Sequence, residues 1–247
     1  DQNTYKVGGK TAAEILKDKV YDVLVYESEG FLVPDEVAIE KMENKLQGNT
    51  DLIVGVGSGV INDLCKYVSF KHDLPYFIVA TAPSMDGYAS NGAALIIKNM
   101  KVTYSARVPA VIIGDTEILK DAPMDMIKAG YGDIMGKFSC LNDWKLSRLV
   151  NDEYFCDYVY DLTYDIVKKT KPLAIKLLER DEESIKTLME ALVVVGIAMA
   201  YIGTSRPASG SEHHLSHFFE ITGIIDDEPY FCHGTDVAYS MLAVQEL

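Results

Sequence analysis

The sequence predicts an α/β domain built on a parallel sheet, followed by an all-helical domain. Three observations carry this. Short apolar runs alternate with helical patterns through the first half, and one of those runs leads through a glycine-rich turn directly into an amphipathic helix. From Glu117 onward the strand signals give way to helical periodicity.

The elements follow in order. DVLVY (22–26) and DLIVGVG (51–57) read as buried parallel strands separated by a helix through VAIEKMENKL. The glycine-rich turn in VGVGSGVINDLCKYVSF then opens the next helix, and YFIVAT (76–81) is the following strand. AALIIK and VTYSA form a hairpin turning at Asn99 and Met100, and AVIIGD (110–115) supplies a further strand. This βαβ rhythm is that of a doubly wound, Rossmann-like sheet. Helices are then predicted through MDMIKAGYGDIMGKFSCLNDWKLSRL, YDLTYDIVKKTKPLAIKLLE, SIKTLMEALVVVGIAMAYIG and EHHLSHFFEI. The boundary falls between residues 116 and 117, dividing the chain into 1–116 and 117–247. The acidic stretch at 180–183 reads as a solvated loop between helices. The opening DQNTYKVGGK reads as the end of a strand running into a helix, and VAYSMLAVQEL as a helix cut short. The first domain is therefore expected to lack its first strand, and the second to be truncated at its C-terminal end.

Composition narrows the partners. With 48% hydrophobic and 24% charged residues this is ordinary globular material. A net charge of -14 repels the phosphates of nucleic acids and anionic membranes, so neither is an expected partner. The longest apolar run, ALVVVGIAMAYIG (191–203), falls short of the roughly 20 residues of a membrane span and reads as a core helix. Cys65, Cys140, Cys156 and Cys232 are scattered without metal-site spacing, and no signal-peptide pattern opens the chain. Reduced thiols and a cytoplasmic location are expected.

The chemistry concentrates in SRPASGSEHHLSHF (205–218), which places three histidines in five residues. His213 and His217 are four apart and share one helix face, whereas His214 lies about 100° around it. His233 follows in CHGTD, positioned for a second element to close a metal or active site. Asp133, in AGYGDIMGK, is either a helix cap or a hard oxygen ligand completing an Asp/His/His set with an open position. Gly55, Gly57 and Gly59 surround Ser58 between a strand and a helix, where free amides and the helix dipole can bind a pyrophosphate. A tight structural turn is the plain alternative. TAPSMDGYAS (81–90) follows the next strand with Thr81, Ser84, Asp86 and Ser90, at the carboxyl edge where open α/β sheets take ligands.

Taken in order, GSGVINDLCKY, TAPSMDGYAS, GYGDIMGK, SGSEHHLSH and HGTDVA resemble the iron-containing alcohol dehydrogenase and dehydroquinate synthase superfamily, and within it the sn-glycerol-1-phosphate dehydrogenases. The opening DQNTY is also similar to that group. The resemblance covers essentially the whole chain and implies a dehydroquinate synthase-like fold. It implies that Asp133, His213 and His233 bind a divalent metal, zinc or alternatively nickel, and that Asp86, Asp133 and His217 contact substrate. Gly57, Ser58, Gly59, Val60, Ile61, Thr81, Ala82, Pro83, Ser84 and Ser90 would line the NAD or NADP site. His214 matches no ligand position, and Cys232, beside His233, is a rival ligand better read as a small buried residue.

The implied activity is reversible reduction of dihydroxyacetone phosphate to sn-glycerol 1-phosphate, a step of phospholipid metabolism, by a homo-oligomeric enzyme. Hydride would come from the nicotinamide, the metal would polarise the ketone, and Asp133 and His217 would be the catalytic side chains. Lys137, Lys145, Arg148 and Arg206 are candidate partners for the substrate phosphate. A glycerol dehydrogenase acting on an unphosphorylated polyol, and a dehydroquinate synthase-like cyclase, are the alternatives within the superfamily. The cyclases typically carry a glutamate at the position of Asp133.

Overall fold

The computed structural model describes residues 1–19, 22–27, 32–98, 100–225 and 231–246. Along the chain run α1 (Gln2–Thr4), a π-helical turn (Tyr5–Gly9), α2 (Lys10–Ile15), α3 (Glu36–Glu43), β1 (Ile53–Gly57), α4 (Gly59–Lys71) and β2 (Tyr76–Ala80). A 3-10 turn (Asp86–Ala89) precedes β3 (Gly92–Ile97), β4 (Met100–Ser105) and β5 (Val111–Ile113). The helices α5 (Thr116–Lys120), α6 (Met124–Asn151), α7 (Asp157–Thr170), α8 (Ala174–Leu178), α9 (Glu182–Ile202), α10 (Ser211–Ile225) and α11 (His233–Val244) complete it.

Two compact units emerge, Asp1–Ala82 with Asn91–Leu119, and Pro83–Ser90 with Lys120–Leu247. The division lies at 119/120 rather than 116/117, and the segment 83–90 leaves the first unit for the second. In the first unit β1, β2 and β5 form a parallel sheet in that order, with Gly57 paired to Ala80 and Ile78 to Ile112. The sheet rests on α4, whose Ile61, Leu64, Cys65 and Val68 are buried. β3 and β4 form an antiparallel hairpin in which Ile97 pairs with Met100. Met100 therefore belongs to the strand rather than the turn, and Asn99 lies outside the described residues.

Two readings of this unit need correction. The segment 22–27 joins no ladder among the described residues. Its Val23 is exposed and only Tyr26 is buried, with its hydroxyl donating to Ala38 O at 2.7 Å. An apolar run signals burial, but a strand also needs a neighbour in register. The opening segment is helical from Gln2, because the Asp1 side chain accepts from the Asn3 and Thr4 amides and caps the helix.

The second unit is helical throughout apart from short turns. Ile185, Leu188, Leu192, Val195 and Met199 make a buried stripe along α9 at spacings of three and four. A second cluster joins Cys140, Leu141 and Trp144 of α6 to Val159 of α7 and Ala198 of α9. α9 is longer than its run 191–203 suggests. By length and composition alone it could cross a membrane, and 56% of that stretch is buried inside the protein, as suits a core helix. Gly203, at φ 75°, ends it. The acidic stretch at its start is solvent-exposed, and Arg180 and Asp181 lie between α8 and α9 as expected, but Glu182 and Glu183 already belong to α9: Asp181 accepts from the Ser184 amide as cap, and the two glutamates lie at the positive end of the helix dipole. Pro172 breaks the predicted single helix between α7 and α8.

Close approach at glycine holds 83–90 in this unit. A Cβ on Gly130 of α6 would sit 1.9 Å from Pro83 O, and one on Gly196 of α9 would sit 2.8 Å from Asp86 O. Gly130→Ala should therefore destabilise the protein by at least the ~1–3 kcal/mol typical of overpacking, since backbone rather than a movable side chain is in the way. Gly48→Ala, which meets nothing within 4 Å, should stay within about 0.5 kcal/mol of the parent. Urea unfolding of the two variants checks the contrast.

Candidate functional site

The site in the helical unit starts from the packing of α11 on α6. A Cβ on Gly234 would lie 2.0 Å from Ala129 O, and one on Gly132 would lie 2.5 Å from Gly234 O and 2.8 Å from Ala238 Cβ. A Cβ on Gly136 would meet Val237 Cγ1 at 2.5 Å. The glycines on both helices thus let their backbones touch. His233 immediately precedes Gly234 as the first residue of α11, so this contact carries its imidazole to Asp133. Asp133 is mid-helix and fully buried, which removes the capping alternative.

α10 supplies the third side chain. Its start is fixed where Asp143 Oδ2 accepts from the Ser211 amide at 2.6 Å, and a Cβ on Gly210 would lie 2.7 Å from Cys140 Cα. His213 is thereby held with Nε2 3.8 Å from Asp133 Oδ1. One ligand-type atom from each of Asp133, His213 and His233 falls within 4.8 Å of the others. A second such group joins His217, Glu220 and His233. His217 is exposed, its ring 5.8 Å from that of His233 and 6.3 Å from that of His213. His214 is exposed and belongs to neither group, and neither does Cys232, whose thiol pKa burial pushes up.

Lys137, one turn along from Asp133, has no exposure at all. Its Nζ donates to Asp133 Oδ1 at 2.6 Å and lies 2.6 Å from Asp86 Oδ2, the latter an ion pair rather than an aligned hydrogen bond. The Asp86 amide in turn donates to Asp133 Oδ2 at 2.9 Å. Burial pushes the Asp133 carboxyl upward, but Lys137, His233 and His213 more than offset it and hold the pKa at about 2. The same carboxylates hold Lys137 charged against its own burial. Burial, followed by the Lys137 charge, lowers the pKa of His213 and favours the neutral imidazole that can coordinate a metal.

The phosphate candidates have these partners within the protein. Lys137 is fully engaged with two carboxylates. Lys145 lies over the Tyr160 ring at 4.4 Å, Arg148 pairs with Asp157 at 3.1 Å, and Arg206 Nε donates to Glu153 at 2.6 Å. Two buried residues escape sequence reasoning altogether. Glu212 Oε1 lies 2.6 Å from His213 Nδ1, and Glu220 Oε1 lies 3.2 Å from His233 Nδ1. The spacing of Glu220, three residues after His217 on one face, is the signal that could have found it.

In the α/β unit, Gly57 ends β1, Ser58 precedes α4, and Gly59, Val60 and Ile61 form the first turn of that helix. The first amides of a helix have no partners within it. Thr81 donates its amide to Gly57 O at 3.1 Å, so both residues sit at the carboxyl ends of adjacent parallel strands. A Cβ on Gly57 would meet Ile61 Cβ at 2.6 Å, so this glycine is needed for the turn itself. Ala82 ends the first segment of this unit, while Pro83, Ser84 and Ser90 belong to the helical one. Ser84 and Ser90 are buried, and the Ser90 hydroxyl donates to Gly87 O at 3.1 Å.

The family model for iron-containing alcohol dehydrogenases matches residues 1–123. The glycerol-1-phosphate dehydrogenase [NAD(P)+] of Halalkalibacterium halodurans is 36% identical over 251 residues, spanning 100% of this chain and 63% of the relative. That of Bacillus subtilis is 34% identical, over 96% of this chain and 61% of the relative. The chain thus spans less than two thirds of the length of these curated relatives. Among solved structures, glycerol dehydrogenase from Schizosaccharomyces pombe superposes with a TM-score of 0.78 at 19% identity, covering 100% of this chain and 64% of the other. Sulfoacetaldehyde reductase from Bifidobacterium kashiwanohense, in complex with NAD+, gives 0.71 at 18% identity, covering 98% and 66%. These likenesses establish the Rossmann-like sheet domain followed by a helical domain.

Removing the buried ammonium leaves two buried carboxylates facing each other. Lys137→Met should therefore cost about 3–5 kcal/mol of stability, as breaking a buried ion pair typically does. Lys145→Met should stay within about 0.5 kcal/mol. Urea denaturation of the metal-free proteins measures both.

Proposed function

Because the chain belongs to the iron-containing alcohol dehydrogenase family, we propose that it forms the cofactor and metal sites of an NAD(P)-dependent oxidoreductase that reversibly reduces dihydroxyacetone phosphate to sn-glycerol 1-phosphate. One observation carries the metal reading. Four acidic residues at most 8% exposed, Asp86, Asp133, Glu212 and Glu220, are accompanied among the described residues of this cluster by one buried ammonium, that of Lys137, around the imidazoles of His213 and His233. A carboxylate oxygen and two imidazole nitrogens are the donor chemistry of a catalytic zinc site, and a divalent cation offsets the excess of negative charge. The relatives named glycerol-1-phosphate dehydrogenase [NAD(P)+] support the choice of reaction.

In this reading Asp133, His213 and His233 hold the metal, zinc by preference over nickel. When bound, the metal supplies Lewis-acid polarisation of the ketone, and NAD(P)H supplies the hydride. Gly57 to Ile61 and Thr81, at the carboxyl ends of β1 and β2, receive the pyrophosphate on the first amides of α4. Asp86, held by Lys137 and by its own amide bond to Asp133, orients a substrate hydroxyl. His217, exposed beside buried His213 and half-buried His233, passes a proton between the reacting oxygen and water.

A second reading, a glycerol dehydrogenase, is favoured by one observation. The cation of the cluster is already shared by Asp86 and Asp133, and an unphosphorylated polyol needs no further cation.

His213→Ala and His233→Ala should abolish bound zinc in elemental analysis, while His214→Ala should retain it. Full occupancy in His213→Ala would overturn the ligand set. Stoichiometric NADH oxidation should proceed with dihydroxyacetone phosphate, with kcat/KM on glycerol or dihydroxyacetone lower by about 10²-fold or more. Equal values on the phosphorylated and unphosphorylated substrates would favour the second reading.

A further inference from the structure

We infer that Glu212 and Glu220 are paired positioning residues, each gripping one metal-binding histidine by its Nδ1–H so that the opposite ring nitrogen faces the ion. This rests on the metal reading given above. A neutral imidazole carries one N–H, and an ionised carboxylate can only accept. The 2.6 Å contact of Glu212 Oε1 with His213 Nδ1 and the 3.2 Å contact of Glu220 Oε1 with His233 Nδ1 therefore place the proton on Nδ1 in both rings. The lone pair is left on Nε2, and the Nε2 of His213 is the atom that faces Asp133 Oδ1 at 3.8 Å.

The two glutamates reach their histidines by different routes. Glu212 precedes His213 on α10 and is held by the Gly210 amide, which donates to the same Oε1 at 2.9 Å. Glu220 grips across helices, from α10 to the first residue of α11. Both are buried, at 0% and 5% exposure, and no donor reaches Glu212 Oε2 among the described residues. A carboxylate oxygen buried without a donor costs free energy that a purely structural side chain would avoid. Aligning an imidazole and raising its basicity as a ligand is what that cost supports.

The test measures zinc affinity by competition with a chromophoric chelator, together with the thermal midpoint of each metal-free protein. Glu212→Ala and Glu220→Ala should each weaken zinc binding about 10–100-fold, the usual loss for such carboxylate partners. Glu212→Gln and Glu220→Gln, which keep the shape and one accepting oxygen, should lose less, and they carry the test if an alanine variant fails to fold. His214→Ala should bind as the parent does. Parental affinity in all four glutamate variants would overturn the inference and leave the metal site standing. A parent protein that binds no zinc would overturn both. Two zinc ions per chain, one of them lost in Glu220→Ala, would make Glu220 a ligand with His217 and overturn its positioning role.

Discussion

The ammonium of Lys137, buried between the carboxylates of Asp86 and Asp133, is the interaction on which the rest of the helical unit's site depends. At an effective dielectric of about 20, opposite charges about 4 Å apart attract by roughly 4 kcal/mol, while each buried ion gives up several kcal/mol of hydration. At the 2.6 Å contacts seen here the attraction outweighs the hydration lost, since Asp133 is held below its ordinary pKa and Lys137 above it. The network's further contribution is geometric. Asp133 Oδ1 faces the ammonium and His213, while Oδ2 takes the amide of Asp86. The carboxylate is thereby fixed at both oxygens, and the segment 83–90 is tied to α6 at the residue that also faces the histidines.

That arrangement requires backbones to approach more closely than side chains allow. Gly130, Gly132 and Gly136 open α6 to Pro83, Gly234 and Val237, and Gly196 opens α9 to the 3-10 turn. Glycine in a helix interior costs about 1 kcal/mol relative to alanine, and α6 carries three of them. The offset lies in packing, because each contact seats a polar group of the site. In GYGDIMG the glycines and the aspartate are thus parts of one device, Gly130 admitting Pro83, Gly132 and Gly136 admitting α11, and the aspartate receiving the histidine that α11 brings.

Much of this architecture was legible in the sequence. The parallel strands β1, β2 and β5, the hairpin and the long helices follow from periodicity, and the histidine pair from its spacing of four. What failed to read shares a physical cause. The run 22–26 is apolar but unpaired among the described residues, because pairing depends on a neighbour that local pattern does not contain. The acidic residues at 181–183 are solvated as they look, but that Glu182 and Glu183 open a helix capped by Asp181 is not visible until the helix is located. Glu212 and Glu220 look like exposed helical charges, because their burial depends on α6 and α11 and not on α10.

Lys137 is the instructive case, since in isolation a lysine four residues beyond an aspartate on a helix is most simply a surface pair. Two features of its context say otherwise. The stretch from Ala129 to Gly136 contains no charged residue except Asp133, so any helix face holding that aspartate against a core must hold Lys137 as well. A lysine without solvent needs charged or hydrogen-bonding partners to offset its lost hydration, and TAPSMDGYAS supplies one beside Asp133 in Asp86. The cation that composition would assign to an anionic substrate is thus consumed inside the protein, holding two carboxylates in place. If the substrate carries a phosphate, as proposed, its recognition would have to draw on groups other than Lys137.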